Sequence, residues 1–117
     1  MAFSATADAE RAKKFYRDQL GLRLVSDEQY ALVFDAGGTV LRVQRVKEVR
    51  QAHYTALGWQ VPDMVAKVDE LAEAGVKFES YGLPGQDDKG IWTPPGSNTK
   101  VAWFKDPDGN ILSLTQF

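Results

Sequence analysis

The sequence predicts an α+β fold in which two tandem βαβββ modules form a curled mixed sheet around one cavity. Two amphipathic helix patterns, each introduced by an aspartate and ended by a glycine, begin after Asp8 and Asp63. Each pattern is followed by short runs in which apolar and polar residues alternate, as they do in strands. The order of elements is the same in both halves, so the 117 residues are interpreted as one domain with an internal repeat.

The first helix is expected to begin after Asp8, which stands at the N-cap position, and Glu10 places a negative charge in its first turn. Apolar residues recur at helical spacing at Ala9, Ala12, Phe15, Tyr16 and Leu20. Gly21 follows as the residue that ends the helix. The second helix repeats this pattern between Asp63 and Gly75. Its apolar face is formed by Met64, Val68, Leu71 and Ala72.

Strands are predicted wherever alternating residues lie between turn signals. In chain order they cover residues 3–6, 22–25, 30–35, 39–45, 56–61, 76–79, 99–105 and 110–116. The segment Ala36-Gly37-Gly38 turns the chain in the first module, and Asp106-Pro107-Asp108-Gly109 does so in the second. The aspartate-rich turn is interpreted as structural, because its acids lack the ligand spacing of a calcium loop.

The repeat can be checked from the spacing of matching residues. Asp35 matches Asp106 at an offset of 71 residues (106 − 35), whereas Asp8 matches Asp63 at an offset of 55 (63 − 8). The second copy therefore contains 16 additional residues (71 − 55) between its helix and its last hairpin.

The additional residues are assigned to an inserted loop at 81–97, which separates the last hairpin from the rest of module two. Module one is expected to cover residues 1–50 and module two residues 54–117. Loops of this length are uncommon in compact domains and often serve as lids or binding loops. A plain surface excursion is the alternative, although Ile91 and Trp92 indicate that part of the loop packs.

Composition excludes several classes of function. Hydrophobic residues make up 44% and charged residues 26%, which is typical of a globular protein. The net charge is -2 and the basic residues are scattered, so nucleic acid is not an expected partner. No cysteine is present, which excludes disulfides and thiolate metal sites. No apolar run approaches the ~18 residues of a membrane span, and seven charged residues among the first twenty exclude a signal peptide. A cytoplasmic location is the default expectation.

The segment DAERAKKFYRDQLGL, which starts at Asp8, and the later segment KDPDGNILSL, which starts at Lys105, resemble the glyoxalase / bleomycin-resistance / extradiol-dioxygenase superfamily. These proteins are also called vicinal oxygen chelate proteins, and the resemblance covers nearly the whole chain. It implies that the two modules form a concave cradle. It also implies a homodimer, for which unpaired edge strands give a physical reason.

The resemblance further implies where the enzymes of the superfamily hold a metal ion. The corresponding positions here are Met1, Ala56, Arg42 and Ser113. Methionine and alanine offer no suitable donor to a hard or borderline cation, and the charged guanidinium of Arg42 has no lone pair to give. We therefore expect no metal and no cofactor, which disfavours glyoxalase I and ring-cleaving dioxygenase chemistry.

His53 is the single histidine of the chain. Together with Gln44 and Gln116 it would make a poor off-register metal site. It is a candidate general base because the unperturbed pKa of a histidine side chain lies near neutrality, and the alternative is an exposed residue in the polar linker.

Strand alternation predicts which residues face the cradle, if Arg42 and Ser113 point inward. The opposite faces then carry the apolar residues Leu41, Val43, Leu57, Trp59, Val61, Leu112 and Leu114. Across the last hairpin, Trp103 is expected to pair with Ser113. The candidate ligand-binding residues are Arg42, Ser113, Trp103, Gln60, Gln44, Trp92 and Phe3.

Arg42 and the two tryptophans have alternative interpretations. Arg42 either binds a carboxylate, phosphate or phenolate of a ligand, or pairs with a loop acid such as Asp87 or Asp88, or is exposed to solvent at a strand edge. Trp103 and Trp92 either stack on a planar ligand or pack in the core or a dimer interface.

The leading functional hypothesis is metal-independent binding of a small, anionic or planar organic molecule in the cradle. The alternative is an enzyme, a lyase, isomerase or ring-cleaving oxygenase acting on a small carbonyl or aromatic substrate. In a lyase, isomerase or hydrolase, Arg42 would stabilise a developing oxyanion. A third hypothesis is an accessory domain that acts by dimerisation alone. The residues leave open whether any reaction is catalysed.

Overall fold

The computed structural model describes residues 1–51 and 54–117, and it confirms the predicted α+β class of two mixed sheets and two helices. The strands are β1 Ala2–Thr6, β2 Arg23–Asp27, β3 Ala31–Asp35, β4 Val40–Arg45, β5 Leu57–Gln60, β6 Lys100–Lys105 and β7 Ile111–Gln116. The helices are α1 Ala9–Lys13, which continues into a π-helical segment Lys14–Gln19, and α2 Met64–Glu73. Among the described residues, no helix has the length and apolar character that crossing a membrane requires.

Both helices begin where the sequence predicts. The carboxylates of Asp8 and Asp63 each accept a hydrogen bond of 3.2 Å from the backbone N–H three residues later. Gly21 and Gly75 follow the helical segments with φ angles of 75° and 95°, which glycine adopts without strain. The buried stripe of α2 is narrower than predicted, since Ala72 is exposed.

The strands form two sheets, of four and three strands, in which the corresponding strands have the same order. The first has the order β1-β4-β3-β2 and the second has the order β5-β7-β6. In each sheet the first strand runs parallel to the last strand of its module, and the remaining pairs are antiparallel. The edge strands β1 and β5 lie next to each other, so the two sheets meet there.

The strand predicted at residues 76–79 is wrong. Of these residues, Phe78 alone forms an isolated bridge, opposite Phe104 of β6. Further along the same edge of β6, Trp92 pairs with Val101 through backbone hydrogen bonds of 2.8 and 2.9 Å. The inserted loop thus returns to the sheet and occupies an edge that a longer strand would have used.

One apolar cluster connects the two modules. Leu41 and Leu112 are fully buried and Leu114 is 3% exposed, so the apolar faces predicted for β4 and β7 are confirmed. Ile91 of the inserted loop is 3% exposed and belongs to the same cluster, which confirms that part of the loop packs.

The aspartate-rich turn joins the second module to the first. The hydroxyl of Tyr16 donates a hydrogen bond of 2.7 Å to Oδ2 of Asp106. The side-chain amide of Asn110 donates to the same carboxylate at 2.8 Å and to the carbonyl of Ala5 at 2.9 Å. The turn is therefore structural, as predicted, and it also holds the modules together.

Candidate ligand-binding site

The predicted site residues fall into two groups, one on each sheet. On the first sheet, Phe3 of β1 pairs with Arg42 of β4, and Gln44 follows on the same face. On the second sheet, Trp103 pairs with Ser113 as predicted, while Gln60 lies on β5 opposite Thr115. Trp92 joins the second group from the inserted loop.

Arg42 has an acidic partner, but it is neither of the acids considered from the sequence. Its Nη1 lies 3.4 Å from Oε1 of Glu28, and its side chain is 32% exposed. The other oxygen of Glu28 accepts a hydrogen bond of 2.8 Å from Ser26. Because this ion pair is long and partly exposed, an anionic ligand can compete with Glu28 for the guanidinium.

Phe3 and Gln44 present exposed side chains on either side of Arg42. Phe3 lies directly opposite Arg42 and is 53% exposed, an unusually open position for a phenylalanine. Gln44 is exposed and pairs with Ala5 and Ala31 in the neighbouring strands. This part of the cradle thus combines one cation, one amide and an open apolar surface.

The second group is built around the row Gly58, Ser113 and Trp103. Ser113 is 7% exposed and lies between Gly58 on β5 and Trp103 on β6. A Cβ atom added to Gly58 would lie 2.7 Å from Oγ of Ser113, which is too close for an ordinary contact. Glycine at position 58 therefore leaves room for the hydroxyl on the cradle face.

Three aromatic side chains, Tyr81, Trp92 and Trp103, form what we call the aromatic platform. The ring centroids of Trp92 and Trp103 are 5.8 Å apart with an interplanar angle of 33°, and Tyr81 meets Trp103 edge-on at 5.5 Å. The indole N–H of Trp92 donates a hydrogen bond of 3.0 Å to the carbonyl of Pro84, which fixes the ring. The platform is thus ordered by the inserted loop.

Tyr81 is a site residue that the sequence analysis did not identify. Partial burial, followed by the charge of Glu79, raises the pKa of the Tyr81 phenol above its ordinary value. The phenol is therefore protonated at neutral pH and available as a hydrogen-bond donor beside Trp103. Its position at the start of the inserted loop was the one sequence signal that could have identified it.

The residues at the expected metal positions do not fit a metal ion. Of the expected positions Met1, Ala56, Arg42 and Ser113, the last two lie opposite Phe3 and Gly58 on the parallel strands. Neither of these neighbours offers a donor side chain. Within residues 1–51 and 54–117, no three His, Cys, Asp or Glu side chains are placed to hold a metal. His53 lies outside the described residues.

The sequence matches the family model described as the glyoxalase/bleomycin resistance protein/dioxygenase superfamily over residues 2–114. The chain belongs to this superfamily. A search of curated proteins gives no match.

Solved structures, members of this superfamily among them, share the fold. A member from Sphaerobacter thermophilus is 24% identical, with a TM-score of 0.74 over 99% of this chain and 94% of that one. A glyoxalase/bleomycin resistance protein/dioxygenase from Alicyclobacillus acidocaldarius is 16% identical, with a TM-score of 0.71 over 98% and 87%. An integron cassette protein from the mobile metagenome of the Halifax Harbour sewage outfall is 20% identical, with a TM-score of 0.74 over 99% and 95%.

Proposed function

We propose that this superfamily member binds a small planar organic molecule with an anionic group in its cradle, without the help of a metal ion. The observation that carries the proposal is the aromatic platform beside Ser113. Trp92 and Trp103 provide a surface for a planar ring, because offset or tilted contacts between aromatic faces are favourable.

Polar groups on the cradle faces of the two sheets support an acceptor-bearing ligand. The hydroxyls of Ser113 and Tyr81 and the guanidinium of Arg42 are donors there, and the ion pair of Arg42 with Glu28 is long, at 3.4 Å. A few donors on an otherwise apolar and aromatic surface are typical of small-molecule sites. A carboxylate or phenolate on a planar ring satisfies both features.

We further propose that two copies of the chain associate through the open face of the first sheet. Phe3 and Val40 lie on this face and are 53% and 40% exposed. Covering these side chains removes apolar area from water, which drives association. Sedimentation velocity is expected to show a dimer at micromolar concentration, and Phe3→Asp is expected to shift it to monomer.

Calorimetric titration with 2-naphthoate and with uncharged 2-naphthalenemethanol tests the binding proposal. We expect 2-naphthoate to bind in the presence of a chelator. The Trp103→Leu substitution is expected to weaken the binding of both compounds. Arg42→Gln is expected to weaken the binding of 2-naphthoate by roughly tenfold, about 1.4 kcal/mol, and to leave the affinity for the alcohol nearly unchanged.

Trp59 provides a matched control because it packs against the core on the opposite face of β5. A folded Trp59→Leu variant is expected to bind 2-naphthoate like the wild type. Binding that disappears with the chelator, or that survives Trp103→Leu unchanged, would contradict the proposal.

A further inference from the structure

A cleft of about 880 Å³ separates the two modules on the face opposite the cradle. Its walls are the end of the π-helical segment, the β3–β4 turn, the β5–α2 connection and α2. On β4 and β7 the lining residues are Leu41 and Leu114, which alternate with Arg42 and Ser113. Of the candidate ligand-binding residues, Gln60 alone lines this cleft, so it is distinct from the cradle.

The internal repeat explains why the cleft is open. The repeat relates the cleft to a second junction between the modules, which Tyr16, Asp106 and Asn110 close. At that junction Asp108 also accepts a hydrogen bond of 2.9 Å from the backbone N–H of Ala7.

At the cleft, the residue equivalent to Tyr16 is Leu71, and the equivalents of Asp106 and Asn110 are Asp35 and Thr39. Leucine has no hydroxyl with which to reach across. Asp35 instead accepts hydrogen bonds from the N–H of Gly38 at 2.9 Å and from Arg23 at 3.2 Å. The second junction therefore lacks the polar contacts that close the first.

The chemistry of the lining indicates the kind of molecule that fits. The inner wall is apolar. Leu22 and Leu57 are partly exposed there, and the lining residues Leu41, Leu71, Phe104 and Leu114 belong to the buried core. The charged lining residues are Asp63, Lys67 and Glu70, and Lys67 pairs with Glu70 at 3.3 Å. One negative charge therefore remains uncompensated at the rim, which disfavours an anionic occupant.

We propose that this cleft is a second small-molecule site, and that it takes an apolar aromatic molecule with a neutral or cationic amine group. Its volume lies within the range of ordinary ligand pockets, about 300–1,000 Å³. The apolar wall binds the rings, and the amine donates toward the acidic rim. This charge preference is the reverse of that proposed for the cradle.

Two dyes that share one skeleton test the proposal. N-phenyl-1-naphthylamine is a neutral arylamine, and 1-anilinonaphthalene-8-sulfonate is the same molecule with an added sulfonate. The dyes are compared in the full chain carrying Trp103→Leu and Arg42→Gln, which weaken binding in the cradle. We expect the neutral dye to bind this variant at one site with increased fluorescence, and the sulfonated dye to bind it at least tenfold more weakly. Equal affinity for the two dyes, or no binding of the neutral dye, would overturn the proposal.

Variants of α2 locate the binding. Ala66 is exposed and lines the cleft, whereas Val65 is 46% exposed on the same helix and does not line it. In the same cradle-weakened background, Ala66→Trp is expected to weaken binding of the neutral dye by more than tenfold, while Val65→Trp leaves its affinity unchanged. Thr39→Tyr fills the cleft from the opposite wall and is expected to act like Ala66→Trp.

Asp63 at the rim of the cleft is the residue whose substitution tests the charge preference. Asp63→Ser keeps a good N-cap for α2 and removes the uncompensated charge. We expect this variant to bind the sulfonated dye more tightly than the wild type does. Unchanged dye affinities in the Ala66→Trp and Thr39→Tyr variants, with native circular dichroism, would place the dye elsewhere and overturn the proposal.

Discussion

The hydroxyl of Tyr16 donates a hydrogen bond of 2.7 Å to the carboxylate of Asp106, a residue 90 positions further along the chain. Burial raises the pKa of the Asp106 carboxyl above its ordinary value, and the hydrogen bonds from Asn110 and Tyr16 act in the opposite direction. Burial also raises the pKa of the Tyr16 phenol well above its ordinary value, followed by the charge of Asp106. Tyr16 is therefore always a donor under physiological conditions.

The raised pKa of Asp106 gives this junction a defined pH dependence. An unfolded aspartate has a pKa of about 3.9, so the folded chain binds more protons in the interval above this value. The contribution of Asp106 to the free energy of unfolding therefore falls as the pH rises through that interval. The hydrogen bond from Tyr16 limits this loss, because it favours the ionised carboxylate.

Tyr16→Phe removes that hydrogen bond without removing the ring. We expect the free energy of unfolding at neutral pH to fall by about 1–3 kcal/mol, because the buried carboxylate loses a donor. Below the ordinary aspartate pKa the loss is expected to be smaller, since Asp106 is then protonated. Urea unfolding at both pH values measures the difference.

The exposed Tyr30 serves as the control for this prediction. Tyr30→Phe should leave the free energy of unfolding unchanged at both pH values. An equal loss at the two pH values in Tyr16→Phe would mean that the hydrogen bond does not stabilise the charge of Asp106.

Local patterns predicted much of the fold because they depend on near neighbours. The caps at Asp8 and Asp63, the faces of β4 and β7 and the pairing of Trp103 with Ser113 follow from spacing and alternation alone.

Contacts between distant segments could not be predicted in this way. The Glu28 partner of Arg42 and the contact of Tyr81 with Trp103 depend on how loops cross the sheets. The predicted strand at 76–79 was wrong because the inserted loop competes for the same edge of β6 through Trp92. The sequence does not specify which segment occupies that edge.

The side chain of Ser113 is expected to disfavour any residue larger than glycine at position 58. Gly58→Ala introduces a methyl group 2.7 Å from Oγ of Ser113, so the hydroxyl must rotate away from its position, and we expect a loss of about 0.5–1.5 kcal/mol in the free energy of unfolding. In a Ser113→Ala background the clash disappears and the loss should be smaller. A double-mutant cycle measured by denaturant unfolding should show a coupling of about 0.5–1.5 kcal/mol, and strictly additive losses would contradict the contact.

The pair of Trp92 and Trp103 is expected to give a spectroscopic signal. Two indoles whose centroids lie 5.8 Å apart couple electronically, which produces paired bands of opposite sign in far-UV circular dichroism. Trp92→Phe and Trp103→Phe should each remove the same pair of bands, because either substitution removes the partner. Trp59→Phe should retain them, and bands that survive either of the first two variants would rule out the tilted contact of the two indoles.

The inserted loop is expected to contribute to stability as part of the core. Ile91 is 3% exposed, and its backbone N–H donates a hydrogen bond of 2.9 Å to Asp87 within the loop. Ile91→Ala leaves a cavity in the shared apolar cluster, so we expect a loss of about 2–5 kcal/mol in the free energy of unfolding. Lys89→Ala removes an exposed ion pair with Asp69 of α2 and should have little effect, because water and salt screen such pairs. Thermal or denaturant unfolding of the two variants separates these contributions, and a small loss in Ile91→Ala would show that the loop is not part of the core.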